Sequence, residues 1–329
     1  MHMTFIRQVA VAGVAAVVLH LSLLDAAAPN DVSQYLLQVA KFAPADVTAL
    51  ENGSVIARVM PGSTDSEVMV VAAVKIRASR EQTLNYYGQM ISYVDGKVTK
   101  AFGRFSNPPS VADVRDLSLD VSDVAHLKSC KPGDCDLRIG GTALAALKAY
   151  VDWNAPDTEA RVNALVREAI VTYVGAYMKN GDDVLVTYND RSQPVRLKSE
   201  WLQILAASSY FQQYATPLRD HLAQYPRSPA AGAQDIFYWV NEKYTGLKPV
   251  VSVMHAVIYR DPARPDRTIV AQKQLYASHY YDGSLVITSA TSALDGAVPV
   301  TYLVYANRSR GDLLKGGGGD DCLAGGPGK

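Results

Sequence analysis

Four segments near the C-terminal end of the chain are dominated by apolar positions, and short polar loops separate them. Their many Val, Ile and Tyr residues favour β-strands over helices. Because each connecting loop is only a few residues long, consecutive strands are expected to pair as an antiparallel meander. The four segments are KPVVSVMHAVIYR, RTIVAQKQLYASHYY, SLVITSAT and VPVTYLVYANR.

A second group of strands is predicted between residues 54 and 106. SVIARVM and EVMVVAAVKIR are joined by the turn residues PGSTDS, and KVTKAFGRFS follows further along the chain. Ser79 and Gln82 have the spacing of a capping box, which predicts the start of a helix between the second and third of these strands.

The middle of the chain, about residues 107–248, has mainly helical periodicity. The longest predicted helix is DTEARVNALVREAIVTYVGAYMKN, and the last helix of this insert is predicted over AQDIFYWVNEKY. The resulting prediction is an α+β fold, in which residues 54–106 and 249–307 build one antiparallel sheet and helices cover one face of it. Two independent domains are the alternative.

The two ends of the chain differ from the predicted domain, which covers residues 29–310. An apolar run from Val9 to Leu24 follows Arg7 and precedes small residues, as in a secretory signal over residues 1–28. An uncleaved N-terminal anchor is the alternative, and no other membrane span is expected. The glycine-rich residues 311–329 are expected to be disordered. The predicted location is therefore periplasmic or secreted.

The composition excludes some functions. The chain of 329 residues is 48% hydrophobic and 19% charged, which is typical of a globular protein. Its 32 basic and 32 acidic residues give a net charge of +0, and no long run of Lys or Arg occurs. Such a balance lacks the electrostatic footprint of a nucleic-acid-binding protein, so no nucleic-acid partner is expected.

The three cysteines suggest a local disulfide. Cys130 and Cys135 flank a Pro-Gly turn in SCKPGDC, and an oxidising compartment would favour their pairing over free thiols. Cys322 lies in the glycine-rich tail and has no evident partner. A zinc site would need further Cys or His residues at ligand spacing, and His126 is the only one nearby, so no metal is predicted.

The C-terminal stretch AQKQLYASHYYDG carries the densest polar and aromatic chemistry. If the loop DPARPD makes a hairpin, His255 falls roughly opposite Gln274 and lies beside Tyr276, with Tyr259 on the same face. Lys273 and His279 then point to the other face. A slip of one residue in the register would exchange the two faces.

Common catalytic motifs are missing. The chain contains no G-x-S-x-G, no H-E-x-x-H, no C-x-x-C and no phosphate-binding glycine loop before a helix. No cofactor is therefore predicted, although residues distant in sequence could still assemble a catalytic site.

Several strings resemble a family of exported bacterial proteins of uncharacterised function. The resemblance lies in CKPGDCDLRI, FYWVNEKYTGLKPVVSVMHAVIY, KQLYASHYYDGSL and YLVYANRSR, and it implies no catalytic residue. A weaker similarity, in VMVVAAVKIRASREQTLNYYGQM and the late meander, is to the START-like or helix-grip superfamily. That similarity implies an antiparallel sheet around a long helix with an apolar ligand between them. The long helical middle and the lack of a C-terminal gripping helix depart from that pattern.

The sequence thus predicts an exported protein that holds a small apolar or lipid-like ligand in a cavity between sheet and helices. One alternative is a hydrolase or lyase that uses His255 or His279 as base, and another is an envelope scaffold or interaction module. Whether the protein is an enzyme is left open. The residues predicted to contact the ligand are His255, Tyr259, Gln274, Tyr276 and His279.

Overall fold

The computed structural model describes residues 30–311. The predicted signal segment and all of the glycine-rich tail except Gly311 lie outside the described residues. Within residues 30–311, no helix has both the length and the apolar character needed to cross a membrane. The helices are α1 Asn30–Gln34, α2 Pro44–Glu51, α3 Arg80–Ile91, α4 Val121–Leu127, α5 Gly141–Tyr150, α6 Thr158–Asn180, α7 Leu197–Ala207, α8 Ser209–Tyr214 and α9 Thr216–Gln224.

The described residues also form a short π-helix, Tyr35–Val39, two short 3-10 helices, Val111–Val114 and Gly181–Val184, and ten strands. Eight of them form one antiparallel sheet in the order β1-β2-β10-β9-β8-β7-β6-β3, and β4 and β5 form a small separate hairpin. They are β1 Ile56–Pro61, β2 Glu67–Ile76, β3 Thr99–Arg104, β4 Thr187–Tyr188, β5 Val195–Arg196, β6 Ala233–Glu242, β7 Val250–Arg260, β8 Arg267–Ala277, β9 Tyr281–Asp295 and β10 Val298–Gly311.

The N-terminal strands β1 and β2 join the C-terminal strands at one side of this sheet, and β3 lies at its other edge, beside β6. β2 pairs with β10 in a ten-residue antiparallel register that runs from Glu67 opposite Arg310 to Ile76 opposite Thr301. The predicted α+β fold with a sheet built from both ends of the chain is therefore confirmed.

The segment AQDIFYWVNEKY is a strand, and its predicted helix is wrong. As β6 it pairs with β7 on one side and with β3 on the other. Phe237 and Trp239 pack in the core on one face of the sheet, while Tyr238 and Val240 pack on the opposite face. A segment that is apolar on both sides fits a strand inside a sheet better than a surface helix. The helical part of the insert consequently ends at Gln224 instead of continuing to residue 248.

Helices cover the two faces of the sheet unequally. The face that we call the helical face packs against most of the helices through two cores. The first core includes Trp201 and Phe211 from the helices and Ile287 from the sheet, and the second includes Val174 and Tyr177 from α6 and Leu275 from the sheet. Apolar burial on this scale is the main stabilising contribution to the fold.

The opposite face of the sheet, which we call the α3 face, carries helix α3. The predicted capping box at the start of α3 is present, since Ser79 Oγ accepts from the Gln82 amide at 3.3 Å and the Ser79 amide donates to Gln82 Oε1 at 3.1 Å. Further along, Tyr87 Oη lies 2.7 Å from Thr288 Oγ1 and accepts a hydrogen bond from Gln272 Nε2 at 3.2 Å. Polar side chains therefore hold α3 against the sheet.

Candidate functional site

The register between β7 and β8 differs from the expected one. His255 lies opposite Lys273, not Gln274, and both His255 and Lys273 are on the helical face. A β-bulge at Leu275 adds one residue to β8, so that Leu275 and Tyr276 both contact the second core. The predicted assignment of Lys273 to the face opposite His255 is therefore wrong. Because side chains alternate along a strand, a shift of one residue in the register exchanges the two faces.

His255 is fully buried between aromatic rings. Its imidazole stacks on Phe237 with ring centroids 4.5 Å apart, and Tyr225 lies 4.6 Å away. Nδ1 lies 3.2 Å from Tyr177 Oη, and Nε2 lies 2.7 Å from Asp235 Oδ1. Burial disfavours the charged form and lowers the pKa of His255 to about 4, against the opposing effect of Asp235.

A second histidine reaches the same carboxylate. His221 of α9 places Nε2 at 2.8 Å from Asp235 Oδ1, while its Nδ1 lies 2.9 Å from the Ser228 carbonyl oxygen. The hydrogen bond to Asp235 raises the pKa of His221. Burial alone would raise the pKa of Asp235, but hydrogen bonds from the two histidines outweigh burial and lower it. We call His221, Asp235 and His255 the His-Asp-His cluster.

A buried ion pair lies next to this cluster. Lys273, predicted to point to the other face, is fully buried and forms an ion pair with Asp182. Its ammonium also lies 4.2 Å from the ring centroid of Trp201 and donates to the Leu222 carbonyl at 3.3 Å. Two formal charges in the core require mutual compensation, because desolvation of either charge alone is costly.

His279 belongs to a different polar group. Its Nε2 lies 2.9 Å from Asp123 Oδ2, and Lys248 Nζ lies 3.1 Å from the other oxygen of Asp123. His279 and Asp123 are both about 2% exposed. A substrate would have to displace packed side chains to reach His279 or His255, so the enzymatic alternative gains no support from the position of either histidine.

Tyr259 and Gln274 lie apart from both histidines. Tyr259 is buried in the first core, and its hydroxyl donates to Asp261 Oδ1 at 3.5 Å. Gln274 is on the α3 face, where Nε2 donates to Ser252 Oγ at 3.3 Å. The predicted cluster of His255, Gln274, Tyr276 and Tyr259 therefore does not form.

Tyr276 lies at a mainly apolar cleft of about 590 Å³ in the helical part of the chain. Tyr276 donates its hydroxyl to the Arg138 carbonyl at 2.9 Å, and Tyr173 of α6 donates to the Leu275 carbonyl at 2.6 Å. With both hydroxyls bound to backbone, the rings supply apolar surface to the cleft. Other lining residues, from α5, α6 and neighbouring loops, include Leu119, Ile139, Ala146, Leu165, Ala169 and Leu185.

A second cleft, of about 540 Å³, is polar. Its lining includes Arg191, Arg310, Glu200 and Asp282. Arg191 lies 2.7 Å from Asp282, and Arg310 lies 3.1 Å from Glu200. Because these charges are already paired, a charged ligand would have to replace existing ion pairs. The apolar cleft is therefore the better candidate for a ligand-binding site.

The predicted disulfide agrees with the structure. Cys130 and Cys135 lie at disulfide-bonding distance, with sulfur atoms 2.05 Å apart. The loop that they close contacts the small hairpin, since the Cys135 amide donates to the Asp190 carbonyl at 3.0 Å. The pair therefore fixes a loop in the helical part of the chain.

Sequence reasoning missed His221 and Asp235. Asp235 lies in the segment that was predicted to be a helix, although the aromatic and β-branched run from Ile236 to Val240 favours a strand. Reading that run as a strand would have placed Asp235 near the meander. No comparable signal identifies His221, because the packing of α9 against the sheet brings it to Asp235.

Comparison of the chain with protein-family models, with characterised proteins and with solved structures finds no match.

Proposed function

We propose that the protein binds a small apolar or amphipathic molecule, such as a medium-chain fatty acid, in the apolar cleft. The observation that carries the proposal is the volume of about 590 Å³ with its mainly apolar lining. Ligand sites of ordinary proteins have volumes of roughly 300–1,000 Å³, apolar walls and a few polar groups. Here Thr142, Thr187 and Asn189 supply polar groups among the lining residues, which suits a molecule with one polar end.

We further propose that this binding takes place in the periplasm or outside the cell. The Cys130–Cys135 pair supports the proposal, because disulfides persist in oxidising compartments. The resemblance to helix-grip proteins stays a prediction and adds no residue to the cleft.

Two alanines allow the cleft to be filled without disturbing the core. Ala146 of α5 and Ala169 of α6 both line the cleft and are exposed, so that a large side chain there would occupy space open to a ligand. Ala149 of α5 and Ala160 of α6 are also exposed but do not line it, and they provide matched controls.

The test is a fluorescence titration with N-phenyl-1-naphthylamine, followed by displacement with dodecanoate. We expect saturable binding to the wild type, and binding weakened by about tenfold or more in Ala146→Trp and Ala169→Trp, a loss of ~1.4 kcal/mol. Ala149→Trp and Ala160→Trp should bind like the wild type. Absence of saturable binding to the wild type, or equal binding by cleft and control variants, would overturn the proposal.

A further inference from the structure

The His-Asp-His cluster brings three potential metal ligands together from three different elements. His221 lies on α9, Asp235 on β6 and His255 on β7. The donor atoms His221 Nε2, His255 Nε2 and one Asp235 carboxylate oxygen all lie within 4.8 Å of one another. Imidazole and carboxylate together suit divalent first-row transition metals, and two histidines with one carboxylate is a recurrent ligand set for zinc and for iron.

The hydrogen bonds of His221 define what can bind at its Nε2. The Ser228 carbonyl can only accept, so Nδ1 of His221 must carry a proton. Nε2 points at the Asp235 carboxylate, so that position holds either a second proton or a cation. A backbone carbonyl that fixes Nδ1–H and directs Nε2 inward is the usual outer-shell arrangement of a metal-binding histidine.

His255 is oriented in a similar way from the other side. Tyr177 Oη lies 3.2 Å from its Nδ1, and the stacked ring of Phe237 restricts rotation of the imidazole. Nε2 of His255 therefore also points at Asp235. Two buried imidazoles held at fixed orientation converge on one carboxylate, and only the carboxylate is partly exposed, at 29% of its side chain.

We propose that His221, His255 and Asp235 bind a divalent transition metal ion, with Zn²⁺ as the best-fitting ion. The ion would take the place of the protons that the two Nε2 atoms hold toward Asp235. Bonds of ~2.0–2.1 Å at tetrahedral angles separate ligand atoms by roughly 3.3 Å. The present N···O distances of 2.7 and 2.8 Å would thus lengthen by roughly half an ångström, and the partly exposed Asp235 can supply that movement.

Such a site has one free coordination position, which water would fill from the side where Asp235 meets solvent. The sequence analysis predicts no metal from the residues around Cys130 and Cys135, whereas the three ligands proposed here are 14 and 20 residues apart and meet only in the folded chain. The proposal is independent of ligand binding in the apolar cleft, which none of the three residues lines.

The test uses the full chain, stripped of metal with EDTA and dialysed. Co²⁺ reports tetrahedral coordination by its visible absorption, and Zn²⁺ is then titrated in competition. We expect one ion per chain for the wild type. His221→Gln should weaken binding more than about 100-fold, because even outer-shell substitutions cost 10–100-fold. The exposed His126→Gln and the buried His279→Gln should bind like the wild type.

Three results decide the matter. No stoichiometric uptake by the folded wild type would overturn the proposal, and so would equal uptake by His221→Gln. If His221→Gln does not fold, Asp235→Asn replaces it, together with NMR of the wild-type imidazoles. Zn²⁺ should then shift the Nε2 resonances of His221 and His255 and leave that of His279 in place, and a shift confined to other histidines would refute the assignment.

Discussion

Replacing Lys273 by Met tests the energetic role of the buried ion pair beside the His-Asp-His cluster. Met has nearly the length of Lys and keeps the apolar contacts of its stem, so the substitution removes mainly the ammonium group. Asp182 would then remain in the core, 7% exposed, without its cation. The Leu222 carbonyl would lose a donor, and the ring of Trp201 would lose its cation–π contact.

The expected loss follows from these contacts. Removing one partner of a buried ion pair costs about 3–5 kcal/mol, because the remaining charge is desolvated without compensation. Against a total stability of roughly 5–15 kcal/mol for a folded domain, Lys273→Met should stay folded but unfold at clearly lower urea concentration. Far-UV circular dichroism during urea denaturation at pH 7 measures the change in the free energy of unfolding.

Two further variants make this prediction refutable. Combining Lys273→Met with Asp182→Leu removes both charges and should recover most of the loss. Lys198→Met breaks the ion pair with Asp183, whose side chains are 48% and 53% exposed, and should leave the denaturation midpoint almost unchanged. If Lys273→Met cost no more than Lys198→Met, the claim that Asp182 depends on Lys273 for charge compensation would be wrong.

Three other changes have predicted outcomes. Cys135→Ser opens a short loop and should lower the free energy of unfolding by about 2 kcal/mol, measured by urea denaturation. Reducing the wild type with dithiothreitol should lower its free energy of unfolding by the same amount, and a different loss would contradict the prediction. Gly181 has φ +62° and ψ −138°, and an added Cβ would overlap the carbonyl oxygen of Tyr225. Gly181→Ala should therefore lower the free energy of unfolding by more than about 2 kcal/mol. Gly53 has φ +86° but lies in open space, so Gly53→Ala should lower it by only about 1 kcal/mol. Similar melting temperatures for the two variants would contradict this difference. Burial raises the pKa of Glu242, so the folded chain holds a proton above pH 4.5 that the unfolded chain has released. The stability of the wild type relative to Glu242→Gln should fall as pH rises from 4.5 to 7, and a rise over that range would contradict the assignment.

Local patterns were enough to predict most elements of this fold. The strand meander from Val250 onward, the long helix α6 and the capping box at Ser79 depend on periodicity and short-range hydrogen bonds, which the sequence displays directly. The Cys130–Cys135 pair follows from a turn between two nearby cysteines. These features form under forces that act within a few residues of the chain.

The candidate site was less predictable because its residues meet only through long-range packing. A run such as Ile236–Val240 is apolar in every position, so periodicity does not separate a central strand from a buried helix. Nor does alternation give the register of the β7–β8 hairpin, in which Lys273 and not Gln274 lies opposite His255.

Hydrophobic periodicity and turn chemistry are properties of short segments, so they were enough to predict the fold class, the strand meander, α6 and the Cys130–Cys135 pair. Contacts between distant parts of the chain bring β6 into the sheet, bury Lys273 against Asp182, and place His221 beside Asp235 and His255. Apolar residues on both faces of a strand make either register similarly favourable locally, so pairing with the neighbouring strands has to select one.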